Sequence, residues 1–299
     1  MIKIYKKTTI LLMLFWISSC ATNEKCELTR KRTYNKYNYG MFTGTKPILW
    51  GTEESNEMIK RTKYNKPFFE LVNYFAGQQY PVTCGPASAR IVLSAIYART
   101  NTLFPLDEEY SLYKSKNGIN SGKFVISERN IFDVYKGNED EYFYDIISRQ
   151  KPHNCKTLNG EFSGGIDADK LAYIINLHKP AKATYVKVET TNTDKKSVDK
   201  FREVVKRIML SNGKYMIANY HLGAMYPITS GHFSPVVAYD NITDRVLIMD
   251  VASHIGTWSW IKVEELYRAM NTILNGNARG YIIIEEVKEG KKDNKKIEK

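Results

Sequence analysis

The stretch GHFSPVVAYDNITDRVLIMDV, residues 231–251, constrains the fold more than any other part of the chain. Two runs rich in Val, Ile, Phe and Tyr flank Asp240, Asn241, Thr243 and Asp244, whose short polar side chains bond back to their own backbone and so favour turns. The pattern predicts an antiparallel hairpin with strands over 232–239 and 245–251. If its turn is centred near residues 241 and 242, paired residues have numbers summing to about 483, which sets His232 opposite Asp250 or Val251. Directly opposed β-carbons lie about 4.5–5.5 Å apart. A carboxylate at position 250 can therefore hold the ring of His232 in the tautomer that a general base needs.

A base implies something to activate, and the segment QQYPVTCGPASARIVLSAIYAR, residues 78–99, supplies it. Cys84 opens a predicted helix over 84–98. Pro86 fits a first helical turn, where its missing N–H is no loss, and the apolar run from Ala87 to Ile96 buries the rest of the helix. Thiolate is the reactive form of cysteine, and bringing a free thiol from about 8.5 to mostly ionised at neutral pH takes about 2 kcal/mol. A helix N-terminus contributes about 0.3–1 kcal/mol, so an imidazole has to contribute the rest. His221, in IANYHLGAMY, is the rival base, but no legible turn sets a carboxylate opposite it; His153, His178 and His254 read as loop or helix-end residues. A histidine at a strand start, an aspartate at a strand end or a cysteine among apolar residues is, taken singly, more often structural. The three together, with the predicted pairing, point to nucleophilic catalysis.

In order and spacing, NYFAGQQYPVTCGPAS around Cys84, SGHFSPVVAYD around His232, and DRVLIMDV followed by EELYRAMNTI and NARGYIII resemble the catalytic domain of the phytochelatin synthases, papain-like cysteine acyltransferases that act on glutathione. The likeness spans residues 66–287. It implies a papain-like fold with Cys84 as nucleophile, His232 as base and Asp250 as the acid that orients it. Gln78, six residues before Cys84, would give its side-chain amide to the oxyanion, a part that the adjacent Gln79 could also take. Arg279, in an Arg-Gly-aromatic element, and Gly231 would bind substrate, Arg279 through a carboxylate of the γ-glutamyl group. No tightly bound cofactor is implied: a heavy-metal ion such as cadmium or zinc would arrive as a thiolate complex of glutathione.

Two departures matter. Plant-type members carry an arginine and a Tyr-Pro-Pro run shortly after the aspartate, where this chain reads VASHIGTWSW with Ser253 in the arginine's place. The cysteine-rich extension of the eukaryotic enzymes has no counterpart before the charged tail, as in short bacterial relatives that chiefly remove glycine from glutathione. The expectation is thus a glutathione γ-glutamylcysteinyltransferase or deglycinating peptidase working through a γ-Glu-Cys acyl-enzyme and linked to heavy-metal response. The alternatives are a papain-like peptidase acting on a larger peptide, and a non-catalytic thiol- or metal-binding lipoprotein.

The N-terminus carries a separate signal. Lys3, Lys6 and Lys7 precede an apolar run from Thr8 to Ile17, closed by Ile-Ser-Ser-Cys at Cys20. This resembles a bacterial lipoprotein signal over residues 1–19 that leaves Cys20 lipidated, and the run is too short to span a membrane. A plain secretory signal is the alternative, and either exports the chain. Lipidation implies a bacterial membrane anchor facing the periplasm or cell exterior, and Ala21 after the cysteine leans towards the outer membrane of a Gram-negative cell. The formal net charge of +12 raises the question of nucleic acid, but most of it sits in the signal, in residues 25–36 and in the tail. Basic ends around a nearly balanced body suit a linker near anionic lipid, not a nucleic-acid groove. Cys26 and Cys155 remain for a disulfide that nothing else supports, and no cysteine pair has zinc-finger spacing.

The chain thus divides into the signal, a basic tether over 20–45, a catalytic domain over 46–287 and a charged tail over 288–299. Helices are predicted at 67–76, 84–98, 167–178, 197–211 and 263–274, and strands at 182–188, 214–220, 232–239, 245–251 and 280–286. Helices first and an antiparallel sheet afterwards define an α+β fold with the site in the cleft between them. Residues 100–165 follow no pattern and are a candidate cover for that cleft.

Overall fold

The computed structural model describes residues 40–102, 126–132, 165–188, 194–228, 230–274 and 277–287. The signal, Cys20, Cys26, His153, Cys155, most of the 100–165 segment and the charged tail lie outside the described residues. Nine strands are described: β1 (Ile48–Leu49), β2 (Ala181–Lys187), β3 (Lys214–His221), β4 (Gly231–Asp240), β5 (Arg245–Ile248), β6 (Ser259–Lys262), β7 (Ile273–Leu274), β8 (Asn277–Ala278) and β9 (Gly280–Glu286). Seven form one antiparallel sheet in the order β1-β6-β5-β4-β3-β9-β2, while β7 and β8 pair separately. The helices are α1 (Glu53–Arg61), α2 (Lys66–Leu71), α3 (Cys84–Thr100), α4 (Ala168–Leu177), α5 (Lys195–Met209) and α6 (Val263–Met270). The fold is α+β with an antiparallel sheet, as the sequence predicts.

Alternation along the strands divides the interior in two. Tyr215 and Ile217 face one core with Ile282, Ile284 and the apolar sides of α1 to α4. Met216, Ala218 and Tyr220 face the other, built with Phe201, Val205 and Ile208 of α5 and Leu266 and Met270 of α6. The period of two in a strand and 3.6 in a helix produces both sets. The sheet is therefore sandwiched between helices, so the helices do not all precede and face it from one side. In α3, Ile91, Val92, Leu93, Ala95 and Ile96 are all fully buried, which is why it reads as apolar all round instead of amphipathic. It ends where Asn101 adopts a left-handed conformation, φ +52°, a conformation asparagine tolerates better than most residues.

The hairpin forms, but its turn is centred about one residue further along than predicted. Asp240 pairs with Arg245 and Ala238 with Leu247, leaving four residues in the turn. Asp240 holds it by accepting from the backbone N–H and hydroxyl of Thr243, at 3.0 and 2.6 Å, and Asp244 takes a positive φ of 52°. A bulge between Val236 and Ala238 shifts the register again, and β5 stops at Ile248 instead of 251. Pro235 sits at this irregularity; it has no N–H to give, and its carbonyl accepts from Met249 at 2.9 Å. Continuing that pairing sets Asp250 against Ser234, two residues from His232 and on the same face. The elements β1, α1 and β6 carry no clear sequence signal, because each is short and its apolar residues are few.

Candidate active site

Cys84 lies at the first turn of α3, half-buried. The preceding Thr83 does not cap the helix with its side chain. Its hydroxyl turns back to the Tyr80 carbonyl at 3.0 Å and accepts from Tyr80 N–H at 3.2 Å. First-turn N–H groups that no side chain caps point their positive ends at the thiol region. Gly85 brings the helix close to its neighbours: a β-carbon there would lie 2.6 Å from Ile166 Cγ2, 3.3 Å from Leu171 Cδ2 and 3.6 Å from Phe233 Cδ2. Phe233 follows His232 in β4, so this close approach is what sets the nucleophile beside the base.

His232 is 4% exposed and Asp250 1%. The His232 Nε2 hydrogen-bonds to Asp250 Oδ1 at 2.7 Å, and the Cys84 sulfur is near enough to the ring to act on its charge, with Nδ1 the ring nitrogen that Asp250 leaves open. Burial pushes the imidazole down, but the Asp250 carboxylate, the Cys84 sulfur and the hydrogen bond to Asp250 outweigh it and raise the pKa to about 10. Burial pushes the Asp250 carboxyl up, and the His232 charge and bond, the Ala252 N–H and the Tyr226 hydroxyl together hold it below its ordinary range. An imidazolium held against the Asp250 carboxylate is the state these shifts favour. Tyr220 stands edge-on to the His232 ring, 5.8 Å between centroids at 82°, directly opposite it on β3.

Asp250 is held from several directions. Its Oδ1 accepts from Ala252 N–H at 2.9 Å and Ser234 Oγ at 3.4 Å, and its Oδ2 from Tyr226 at 2.8 Å. Tyr226 and Ser234 are partners that sequence reasoning missed. Ser234 could have been found from its place two residues after His232; Tyr226, in a loop after β3, carries no such signal. A cavity of 230 Å³ opens beside the carboxylate, lined by Trp50, Phe75, Asp250, Ser253, Gly256, Thr257 and Trp258.

Gln78 is joined to the aspartate's strand end, since its backbone N–H donates to Val251 O at 2.7 Å. The preceding Gly77 abuts Ser253, where a β-carbon would meet Oγ at 2.3 Å. The Gln78 amide spends one hydrogen on the Tyr80 carbonyl at 2.7 Å, and its Oε1 is buried without a hydrogen-bond partner. One amide hydrogen is left to give. Gln79 is engaged through its backbone, donating to the buried carboxylate of Glu128 at 2.8 Å, with its own residue exposed. Glu128, which no sequence pattern flagged, thereby pins the loop that precedes Cys84.

The rival base is differently placed. His221 pairs with Gly231, so it faces away from Tyr220 and His232; its Nδ1 accepts from Gly223 N–H at 3.0 Å. Burial and then the Arg279 charge lower its pKa to about 4. Arg279, 3% exposed, donates to Thr272 Oγ1 at 2.5 Å. Arg279 and Gly231 thus lie around His221 at the strand ends that carry His232. Buried His178 is bonded to Tyr97 and to the Ile131 carbonyl, at 3.1 and 2.9 Å, and is structural. Among the described residues no cluster of His, Cys, Asp and Glu could hold a metal ion, and no helix is long and apolar enough to cross a membrane.

A thiol at a helix start, beside an imidazole that a buried carboxylate orients, is the arrangement thiol-dependent acyl transfer requires. Residues 143–281 match the family model described as phytochelatin synthase, a range that holds His232, Asp250 and Arg279 and begins after Cys84. Over that range the chain is similar to the phytochelatin synthase family. Among curated proteins it is similar to glutathione gamma-glutamylcysteinyltransferase 1 of Arabidopsis thaliana, 28% identical over 219 residues, which cover 73% of this chain and 36% of the relative. The protein of the same name from Lotus japonicus is 28% identical with 73% and 35% covered. That of Schizosaccharomyces pombe is 24% identical over 148 residues, 49% of this chain and 32% of the relative. The matched stretch is thus about a third of the length of these relatives.

Proposed function

We propose that this chain is a cysteine acyltransferase of the glutathione γ-glutamylcysteinyltransferase type, with a papain-like arrangement of helix-borne cysteine and sheet-borne histidine and aspartate. The single observation that carries the reading is the Cys84–His232–Asp250 array in a chain whose relatives bear that name. The Cys84 thiolate attacks the carbonyl carbon of the Cys-Gly bond of glutathione. The oxyanion takes hydrogen bonds from the Cys84 backbone N–H and the remaining amide hydrogen of Gln78; such a donor is worth about 2.7–4 kcal/mol in the transition state. As the C–N bond breaks, His232 gives its proton to the departing glycine nitrogen, leaving a γ-Glu-Cys thioester. Water or the amine of a second glutathione then attacks, His232 takes the incoming proton, and the thiolate leaves. Arg279 and Gly231 hold the γ-glutamyl end. Heavy metal enters as a glutathione thiolate, that is, as substrate. The reading includes export and anchoring through lipidated Cys20.

The purified chain, given glutathione, should release glycine. Absence of release with and without cadmium overturns the proposal. Transfer needs a second substrate held in place against bulk water, and after Asp250 this chain offers Ser253, His254, Ile255 and Gly256 instead of an arginine and a rigid Tyr-Pro-Pro run. γ-Glu-Cys should therefore dominate at low glutathione, with longer peptides appearing only when glutathione is abundant. The same assay, run across glutathione concentrations with product analysis, reads both.

A further inference from the structure

We infer that Tyr226 is a positioning residue of this site, setting which face of the Asp250 carboxylate meets His232, and that residue 256 is glycine in order to admit it. The inference rests on the function proposed above. Asp250 Oδ1 serves His232 at 2.7 Å, Ala252 N–H at 2.9 Å and Ser234 at 3.4 Å, whereas Oδ2 accepts the Tyr226 hydroxyl at 2.8 Å. The phenol has one proton and a second acceptor within reach, Thr257 O at 3.0 Å. The charged and nearer oxygen takes the larger share, because bonds to ionised acceptors are the stronger ones.

The geometry around the ring supports this assignment independently. A β-carbon at Gly256 would lie 2.5 Å from Tyr226 Cε1 and 2.6 Å from its hydroxyl oxygen. Gly256 is not among the residues with positive φ, so its backbone conformation does not require glycine; the space occupied by the phenol does. Tyr226 itself is 7% exposed and fixed by its own N–H to Leu222 O at 2.8 Å. The tyrosine is thus delivered from the loop after β3 to a carboxylate on the far side of β4.

Without the hydroxyl, Oδ2 becomes a bare anion at the wall of the 230 Å³ cavity. The carboxylate then protonates at higher pH, and it is free to turn Oδ1 away from His232. The titratable groups that face Asp250 are His232, Tyr226 and Tyr220, with Cys84 next to His232 and Tyr220; His254, on the same loop as Gly256, is exposed. Both limbs of a pH profile should therefore move inward, the acid limb through Asp250 and the alkaline limb through His232. A purely structural role for Tyr226 lowers the plateau and leaves the limbs where they are.

Two variants of the full chain test this, Tyr226→Phe, which keeps the ring, and Gly256→Ala, which keeps the hydroxyl but displaces it. Glycine release gives kcat and KM, and iodoacetamide labelling of Cys84 across pH gives the thiolate profile without any glutathione. For both variants we expect kcat to fall about tenfold, the range set by losing one hydrogen bond to a charged group, with KM within about twofold, the kcat profile narrowed and the onset of labelling moved to higher pH. Wild-type limb positions in Tyr226→Phe, a loss confined to KM, or a wild-type profile in Gly256→Ala overturns the inference. If the unmodified chain releases no glycine yet the onset of labelling still moves to higher pH in both variants, the proposed substrate fails and the positioning role stands.

Discussion

At the scale of single residues, Asp250 is where geometry and charge meet. Replacing it with asparagine keeps the shape and removes the charge that holds His232 protonated. By analogy with other nucleophile–histidine–carboxylate sites, Asp250→Asn should lower kcat by about 10²–10⁴-fold, measured as glycine release. The same residue sets a pH signature in stability. Its carboxyl is held below its ordinary range, so the pair stabilises the fold above that range and loses this contribution as pH falls through the folded value. The His232 ring is raised to about 10, so that contribution is full below about 6.5, the ordinary value, and is lost as pH rises through 10. Both shifts describe one interaction and count once. Urea midpoints should be flat from about pH 5 to 6.5 and fall on either side, the alkaline fall running from about 6.5 to 10, and Asp250→Asn should flatten the acid side; an unchanged acid side would mean that other carboxylates carry it.

At the scale of elements, the site depends on how closely α3 lies against its neighbours. Gly85→Ala inserts a methyl group 2.6 Å from Ile166 Cγ2 and 3.3 Å from Leu171 Cδ2, where both are packed in the core. Overpacking of this kind costs about 1–3 kcal/mol, and the helix must shift away from Phe233. We expect a lower thermal midpoint together with a loss of glycine release greater than the unfolded fraction accounts for. Activity falling only in step with unfolding would show that the helix start tolerates displacement. The hairpin gives the complementary case. Its two strands and its polar turn were readable from composition, but its register was not, since Asp240 stabilises a four-residue turn and a bulge lies between Val236 and Ala238. His232 and Asp250 still meet, because they are offset along one face by two residues and the carboxylate reaches back across that distance.

At the scale of the whole molecule, the proposed anchor and the proposed chemistry are separable. Cys20→Ser should abolish lipid labelling and membrane fractionation while leaving glycine release by the purified protein intact; unchanged fractionation would assign anchoring to the basic tether or to a protein partner. Sequence alone determined the α+β class, the strands β2, β3, β4, β5 and β9, the Cys84 helix and the nearness of His232 to the end of the strand that carries Asp250. These follow from local periodicity, turn chemistry and a contact across one hairpin, which neighbours in the chain suffice to specify. The layering of α5 and α6 on the far face of the sheet, the short elements β1, α1 and β6, and the roles of Tyr226, Glu128 and Gly256 were decided only by the tertiary structure. Each of these rests on contacts between segments far apart in the chain, where the reason for a residue lies in the space and charge that its neighbours leave and not in the residues beside it.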